Sequence, residues 1–144
     1  MYKWAIRRQI RRNVAALRAG DPGPVLRGYA DDAVLLFPGV SSWSGEHRGK
    51  PAIEAFVRRF LDAGLAGRTH DILVNGPPWN TRLAVLFTDE ATDGEGNVVY
   101  ENRAVLFARI RWGKIVHQED FEDTQKVAEF DRFLEAAGLN DQRG

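Results

Sequence analysis

The sequence predicts an α+β domain in which helices pack on one face of an antiparallel sheet. Three observations predict it. Apolar residues recur at helical spacing up to about residue 63, the period changes to that of strands from about residue 69, and the last segment returns to helical spacing. Helices followed by a meander of strands favour this class over a doubly wound one. At 144 residues the chain has the length of one ordinary domain, read here as residues 1–139 with a loose tail over 140–144.

Ile6, Ile10, Val14 and Leu17 repeat at helical spacing, with Arg7, Arg8, Arg11, Arg12 and Arg18 on the adjoining arc. Residues 4–19 therefore read as an amphipathic helix, stopped by Gly20 and Asp21. A short second helix over 22–29 opens on prolines that suit a first turn. Residues 33–37, Ala-Val-Leu-Leu-Phe, read as a buried strand, and 38–49 as a loop rich in Pro, Gly and Ser whose Trp43 implies that it folds over something apolar. Ile53, Phe56, Val57, Phe60 and Leu61 form the apolar stripe of a third helix, from about Pro51 to Ala63.

Strand periodicity follows. Residues 69–74 and 83–88 are separated by the turn Gly76-Pro-Pro78. The run Asp93-Gly-Glu-Gly-Asn97 is a hairpin turn leading into a long strand over 98–110, and Trp112-Gly-Lys114 turns the chain into an antiparallel return over 115–121. Asp123 or Thr124 caps a final helix carrying Val127, Phe130, Phe133 and Leu134 on one side.

Composition narrows the function. Lys plus Arg and Asp plus Glu number 20 each, so no charge excess draws the protein to nucleic acid or an anionic membrane, and a small neutral partner is favoured. The arginine arc of the first helix reads as a solvated face. With no cysteine there is no disulfide, thiolate zinc site or Cys nucleophile; the three histidines, His47, His70 and His117, lack partners at ligand spacing, so no metal or cofactor is expected. Arginines interrupt any apolar signal core near the start and no run approaches a membrane span, which makes the cytoplasm the expected compartment.

Four stretches, Ala15-Ala-Leu-Arg-Ala-Gly-Asp21, Tyr29-Ala-Asp-Asp-Ala33, Arg48-Gly-Lys-Pro-Ala-Ile53 and Gly113-Lys-Ile115 through Asp123-Thr124, resemble in order and spacing the recurring pattern of SnoaL-like, NTF2-like domains. The resemblance implies a cone: a strongly curved antiparallel sheet with helices packed on it, enclosing a pocket lined by alternate strand residues. It does not by itself choose a function, because this fold carries ketosteroid isomerases, polyketide cyclases, limonene-type epoxide hydrolases, dehydratases and non-catalytic subunits.

On that pattern Asp120 matches the acidic catalytic position of epoxide-hydrolase-like and cyclase-like members, and Asp89 the second carboxylate of an Asp-Arg-Asp arrangement whose arginine falls on Phe87. The ketosteroid isomerase positions fall on Asn13, Phe37 and near Ala104, so that catalytic set is missing. Period two puts Gln118 and Glu122 on the face of Asp120; Asn102 and Ala104 should face the same cavity from the neighbouring strand, with Tyr100 near its edge.

The candidate catalytic set is therefore Asp120, Asn102, Glu122 and Asp89, and the candidate substrate-binding set is Phe37, Trp43, Phe56, Tyr100, Ala104 and Gln118. Two carboxyls at i and i+2 on one strand face repel, and an apolar pocket raises at least one pKa, which prepares an acid and a base. Each residue also has a plainer reading: Asn102 as a satisfied polar group, Asp89 as a solvated acid near a hairpin, and Phe37, Trp43, Phe56 and Trp79 as core. Val105, Phe107, Arg109 and Arg111 alternate on the outer sheet face, through which families of this fold often form homodimers. The expected function is cofactor-independent carboxylate acid–base chemistry on a small, mostly apolar or polycyclic molecule, such as isomerisation, cyclisation, dehydration or epoxide hydrolysis. A non-catalytic ligand-binding protein and a dimeric interaction module are the alternatives.

Overall fold

The computed structural model describes residues 1–138; the tail expected over 140–144 lies outside the described residues. The elements run α1 (Tyr2–Arg18), α2 (Gly23–Arg27), β1 (Tyr29–Phe37), β2 (Gly45–Arg48), α3 (Lys50–Asp62), β3 (Leu65–Asn75), β4 (Thr81–Thr92), β5 (Val98–Arg111), β6 (Lys114–Glu122) and α4 (Thr124–Ala136). The six strands form one curved, unclosed sheet in the order β2-β1-β6-β5-β4-β3.

Three features differ from expectation. The sheet is not wholly antiparallel: β1 runs parallel to β6, with Leu35 opposite Gln118. A long-range parallel pairing leaves no local turn to read, unlike the hairpins of β3 to β6. Inside the expected loop over 38–49 lies β2, a short edge strand on β1 whose Gly-Glu-His-Arg sequence carries no apolar alternation. The expected second helix ends at Arg27, and Tyr29 instead opens β1, where Ile115 N donates to Gly28 O at 2.8 Å.

Curvature comes from irregular register. Extra residues interrupt the pairing of β3 with β4 between Thr69 and Asp71, of β4 with β5 after Ala91, and of β5 with β6 after Arg109. Each such bulge bends and twists the sheet. The helices cover its concave face. Ile6 and Ile10 of α1 pack with Ile72, Leu83 and Ile110, while Ile53 and Val57 of α3 pack with Tyr29, Ala33 and Leu35. Val127, Phe130 and Leu134 of α4 close on Trp43, Leu65 and Tyr100, with Phe130 stacked on Tyr100 at 4.5 Å between ring centroids. Trp79, a candidate wall, lies exposed in the β3–β4 turn against Trp112, because its turn projects from the end of the sheet.

Of the two predicted caps of the last helix the structure uses Asp123, whose carboxylate accepts from Gln125 N at 3.0 Å and Lys126 N at 3.3 Å. Its backbone carbonyl also accepts from Asn102 Nδ2 at 3.0 Å, which ties the start of α4 to the sheet. Asp123→Ala is expected to lower stability by about 1 kcal/mol through loss of the cap, measured by urea unfolding.

Candidate active site

The inner faces of the strands and the apolar sides of α1, α3 and α4 enclose a cavity of about 190 Å³. Its walls are mostly aromatic and aliphatic, and Phe37, Trp43, Phe56, Tyr100 and Gln118 all line it. So do three carboxyl groups, Asp89 on β4 and Asp120 and Glu122 on β6. Asp89 is not the solvated turn acid of the plainer reading: it is buried, because β4 continues to Thr92 and keeps residue 89 within the sheet.

Register explains how the three acids share one space. Glu122 lies opposite Ala104 on β5, and Ala104 lies opposite Phe87 on β4, two residues before Asp89. The methyl of Ala104 leaves room between the outer strands for longer side chains. On the other side of Asp89 stands Gly67; a Cβ there would sit 3.4 Å from Asp89 Oδ1. Ala104 is thus a buried spacer on the inner face and does not line the cavity itself.

Asn102 is likewise buried on that face without lining the cavity. Its side-chain amide donates to Tyr100 Oη at 2.9 Å and to the Asp123 carbonyl, so it holds a wall residue and the α4 cap in place. The structure gives it this supporting position and does not bring it beside Asp120.

The buried chain next to Asp120 involves a residue the sequence reading passed over. Tyr29 donates its hydroxyl to Gln118 Oε1, and Gln118 Nε2 donates to Asp120 Oδ1 at 3.1 Å. Burial pushes the Asp120 carboxyl up to about 7, with the Gln118 hydrogen bond pulling the other way. Burial and then the Asp120 charge push Glu122 up to about 8. Asp89 is raised well above the ordinary range by burial and by both other acids. The phenols of Tyr29 and Tyr100 are also raised, chiefly by burial, so both remain protonated donors at neutral pH.

No Lys, Arg or His is among the residues lining the cavity, so nothing there compensates three negative charges. Around neutral pH the group carries protons. Among the described residues, Asp120 accepts the side-chain N–H bond made to these acids, which favours its charged form, while the charges of neighbouring acids favour the protonated forms of Glu122 and Asp89. A base and two neutral acids in one apolar space is an arrangement suited to proton transfer. Among the described residues no group of three metal-ligating side chains is arranged to hold an ion.

The segment 38–44, which carries Trp43 into the cavity wall, is tied to α3 and α4. Ser42 donates to Asp131 of α4 through its backbone N at 2.7 Å, Arg59 Nη1 of α3 donates to Ser42 O at 3.0 Å, and the Arg59 guanidinium lies 4.0 Å over the Trp43 ring. Trp43 is thereby held at 3% exposure against Phe56 and α4. Of the histidines, His47 pairs through Nε2 with the Trp43 carbonyl and packs on Phe56, and His70 meets Thr88 Oγ1 at 2.6 Å; neither lines the cavity.

The profile of the SnoaL-like domain family matches residues 10–118, most of the chain and most of this architecture. The chain belongs to the SnoaL-like family. Solved structures agree on an NTF2-like fold for this SnoaL-like domain. It is similar to Bal32a from a soil-derived mobile gene cassette, at 22% identity and a TM-score of 0.73 over 88% of this chain and 95% of that one. It is similar to TerC, crystallised with polyporic acid, at 23% identity and a TM-score of 0.71 over 87% and 96%. An NTF2-like protein of unknown function from Burkholderia pseudomallei superposes with a TM-score of 0.71 at 22% identity, over 87% of this chain and 95% of that one. No curated protein sequence matches the chain.

Raised carboxyl pKa values make stability depend on pH in a definite direction. A carboxyl whose pKa is higher folded than unfolded favours the folded state most at pH values below the unfolded value near 4, and that advantage is lost as pH rises through the folded value near 7. For Asp120 the shift corresponds to on the order of 4 kcal/mol. Asp120→Asn is therefore expected to stabilise the domain at pH 8 relative to the native sequence, and far less at pH 4. Urea unfolding at the two pH values checks this; an equal effect at both would remove the shift.

Proposed function

We propose that this SnoaL-like domain is a cofactor-independent enzyme that moves protons on a small, mostly apolar molecule, in a reaction of the isomerase, cyclase or dehydratase kind. The observation that carries the reading is the placement of three carboxyl groups, with no basic residue, in a cavity lined mainly by aromatic and aliphatic side chains. Asp120 is the general base. Glu122 and Asp89, protonated at neutral pH, are the acids that donate to oxygen as negative charge develops there. Epoxide hydrolysis is less well supported, because Phe87 stands where the arginine of the resembling arrangement would be and no other arginine lines the cavity.

The cavity's size and walls favour a molecule of one or two fused rings, and its lack of cations disfavours substrates that carry a carboxylate. A two-ring carbon acid such as 2-tetralone is a suitable probe. The protein should accelerate exchange of its α-protons in D2O, followed by NMR, and Asp120→Asn should reduce that rate by about 100-fold or more without unfolding the chain. Exchange at the background rate with bound probe would replace the enzyme by a ligand-binding protein that uses the same cavity.

A homodimer through the outer sheet face is supported by Leu73, Val105, Phe107 and Phe121, which stand exposed there on β3, β5 and β6. Sedimentation should give a dimer that Phe107→Asp converts to monomer; a monomeric native chain would overturn it.

A further inference from the structure

The hydrogen-bond chain that ends on Asp120 begins at Tyr29, and its direction is set there. A glutamine amide offers a donor at one end and an acceptor at the other, and turning it over exchanges the two. With Nε2 toward Asp120, Gln118 stabilises the carboxylate; with Oε1 toward it, only the protonated acid is stabilised. The hydroxyl of Tyr29 biases that choice, because a phenol is a better donor than acceptor and here it donates to Oε1. We propose that Tyr29 is a positioning residue that acts through Gln118 to hold Asp120 ready as the base, a role that rests on the acid–base reading above.

The fold builds this contact deliberately into its least regular strand pairing. Tyr29 is opposite Ile115 and Val34 opposite His117, so five steps along β1 are matched by two along β6. The irregularity keeps Tyr29, almost fully buried, at the level of the cavity instead of carrying it past the end of β6. Ile115 N on Gly28 O fixes the backbone beside it. Gln118 is itself buried, so both ends of its amide need partners, and Tyr29 and Asp120 are the partners they have.

Asn13 of α1, Trp43 and Thr69 of β3 bring further donors to the cavity wall, but among the described residues none of them bonds Asp120. The titratable side chains lining the cavity with Asp120 are Tyr29 from β1, Asp89 from β4, Tyr100 from β5 and Glu122 from β6. The lining residues of α1 are Asn13 and aliphatic side chains, and those of α3 and α4 are apolar. Among the described residues, Gln118 Nε2 makes the hydrogen bond Asp120 receives, on Oδ1, which leaves Oδ2 for a substrate proton.

The test needs no substrate. In protein labelled with 13C at the Asp carboxyls, the Asp120 resonance, assigned by its loss in Asp120→Asn, is followed against pH. Tyr29→Phe should raise the Asp120 midpoint by about one pH unit. In a Gln118→Met background the same change should have no further effect, because the route is already cut. In the unaltered protein, the Gln118 side-chain amide protons should move downfield as Asp120 ionises, a readout that survives if a variant folds poorly. An unmoved Asp120 midpoint in folded Tyr29→Phe, a full shift persisting in the Gln118→Met background, or Gln118 amide protons indifferent to Asp120 would each overturn the role of Tyr29. Any of these results leaves the proton-exchange test of Asp120 standing, so the two readings fail separately.

Discussion

β1 lies parallel to β6, the last strand of the chain, and this contact brings Tyr29, Leu35 and Phe37 from the first part of the sequence against the strand that bears Gln118, Asp120 and Glu122. Without it the meander β3 to β6 would be a bent antiparallel sheet with its carboxyls open to water on one side. With it, α3 and the loop over 38–44, both attached to β1, are carried over the concave face. The cavity is therefore a consequence of one long-range pairing, closed by helices that follow the strands they are connected to.

Closing that cavity over acids has a cost, and the cost is informative. Two carboxyls are buried and a third is half-buried among apolar walls, with no basic residue lining the space and, among the described residues, one side-chain hydrogen bond to them, from Gln118. A sequence shaped only for stability would place Leu or Gln at such positions, since buried ionisable groups without partners weaken a fold. Other buried polar side chains do find partners: Asn102 bridges Tyr100 and the α4 cap, and Gln118 bridges Tyr29 and Asp120. Strongly perturbed acids gathered in one apolar space are the feature on which the proposed acid–base reading rests.

How much of this the sequence discloses follows from which signals are local. Alternation alone puts Gln118, Asp120 and Glu122 on one face, and the structure keeps them there. The capped helix at Asp123 and the hairpin at residues 93–97 are likewise local, and both are present. Tyr29 is not legible in the same way. It follows a short proline-opened helix without a clear stop, and its value depends on a partner 89 positions away. Gly28, just before it, was the available signal for a helix end. Asp89 was ambiguous because a strand's end cannot be located from periodicity when the turn after it is long, and burial hung on that end. Asn102 lies on the expected face without lining the cavity, because a face is set by period two, whereas the position along the cavity is set by register with β4 and β6.

The division of labour among the acids then follows from hydrogen bonding more than from their positions. An apolar cavity raises every carboxyl in it, and mutual repulsion spreads them further apart, but neither effect alone says which acid ionises first. The asymmetry comes from Gln118, which donates to Asp120 and to neither of the others. An Asp120 anion favours the protonated forms of Glu122 and Asp89, in a space whose lining carries no cation. Neutral acids donate hydrogen bonds to a developing oxyanion without being attracted to a substrate's permanent negative charge. Under the proposed reading such a cavity would select by charge as well as by shape, favouring an uncharged, apolar molecule, and would lose the arrangement when pH rises far enough to ionise the two donors.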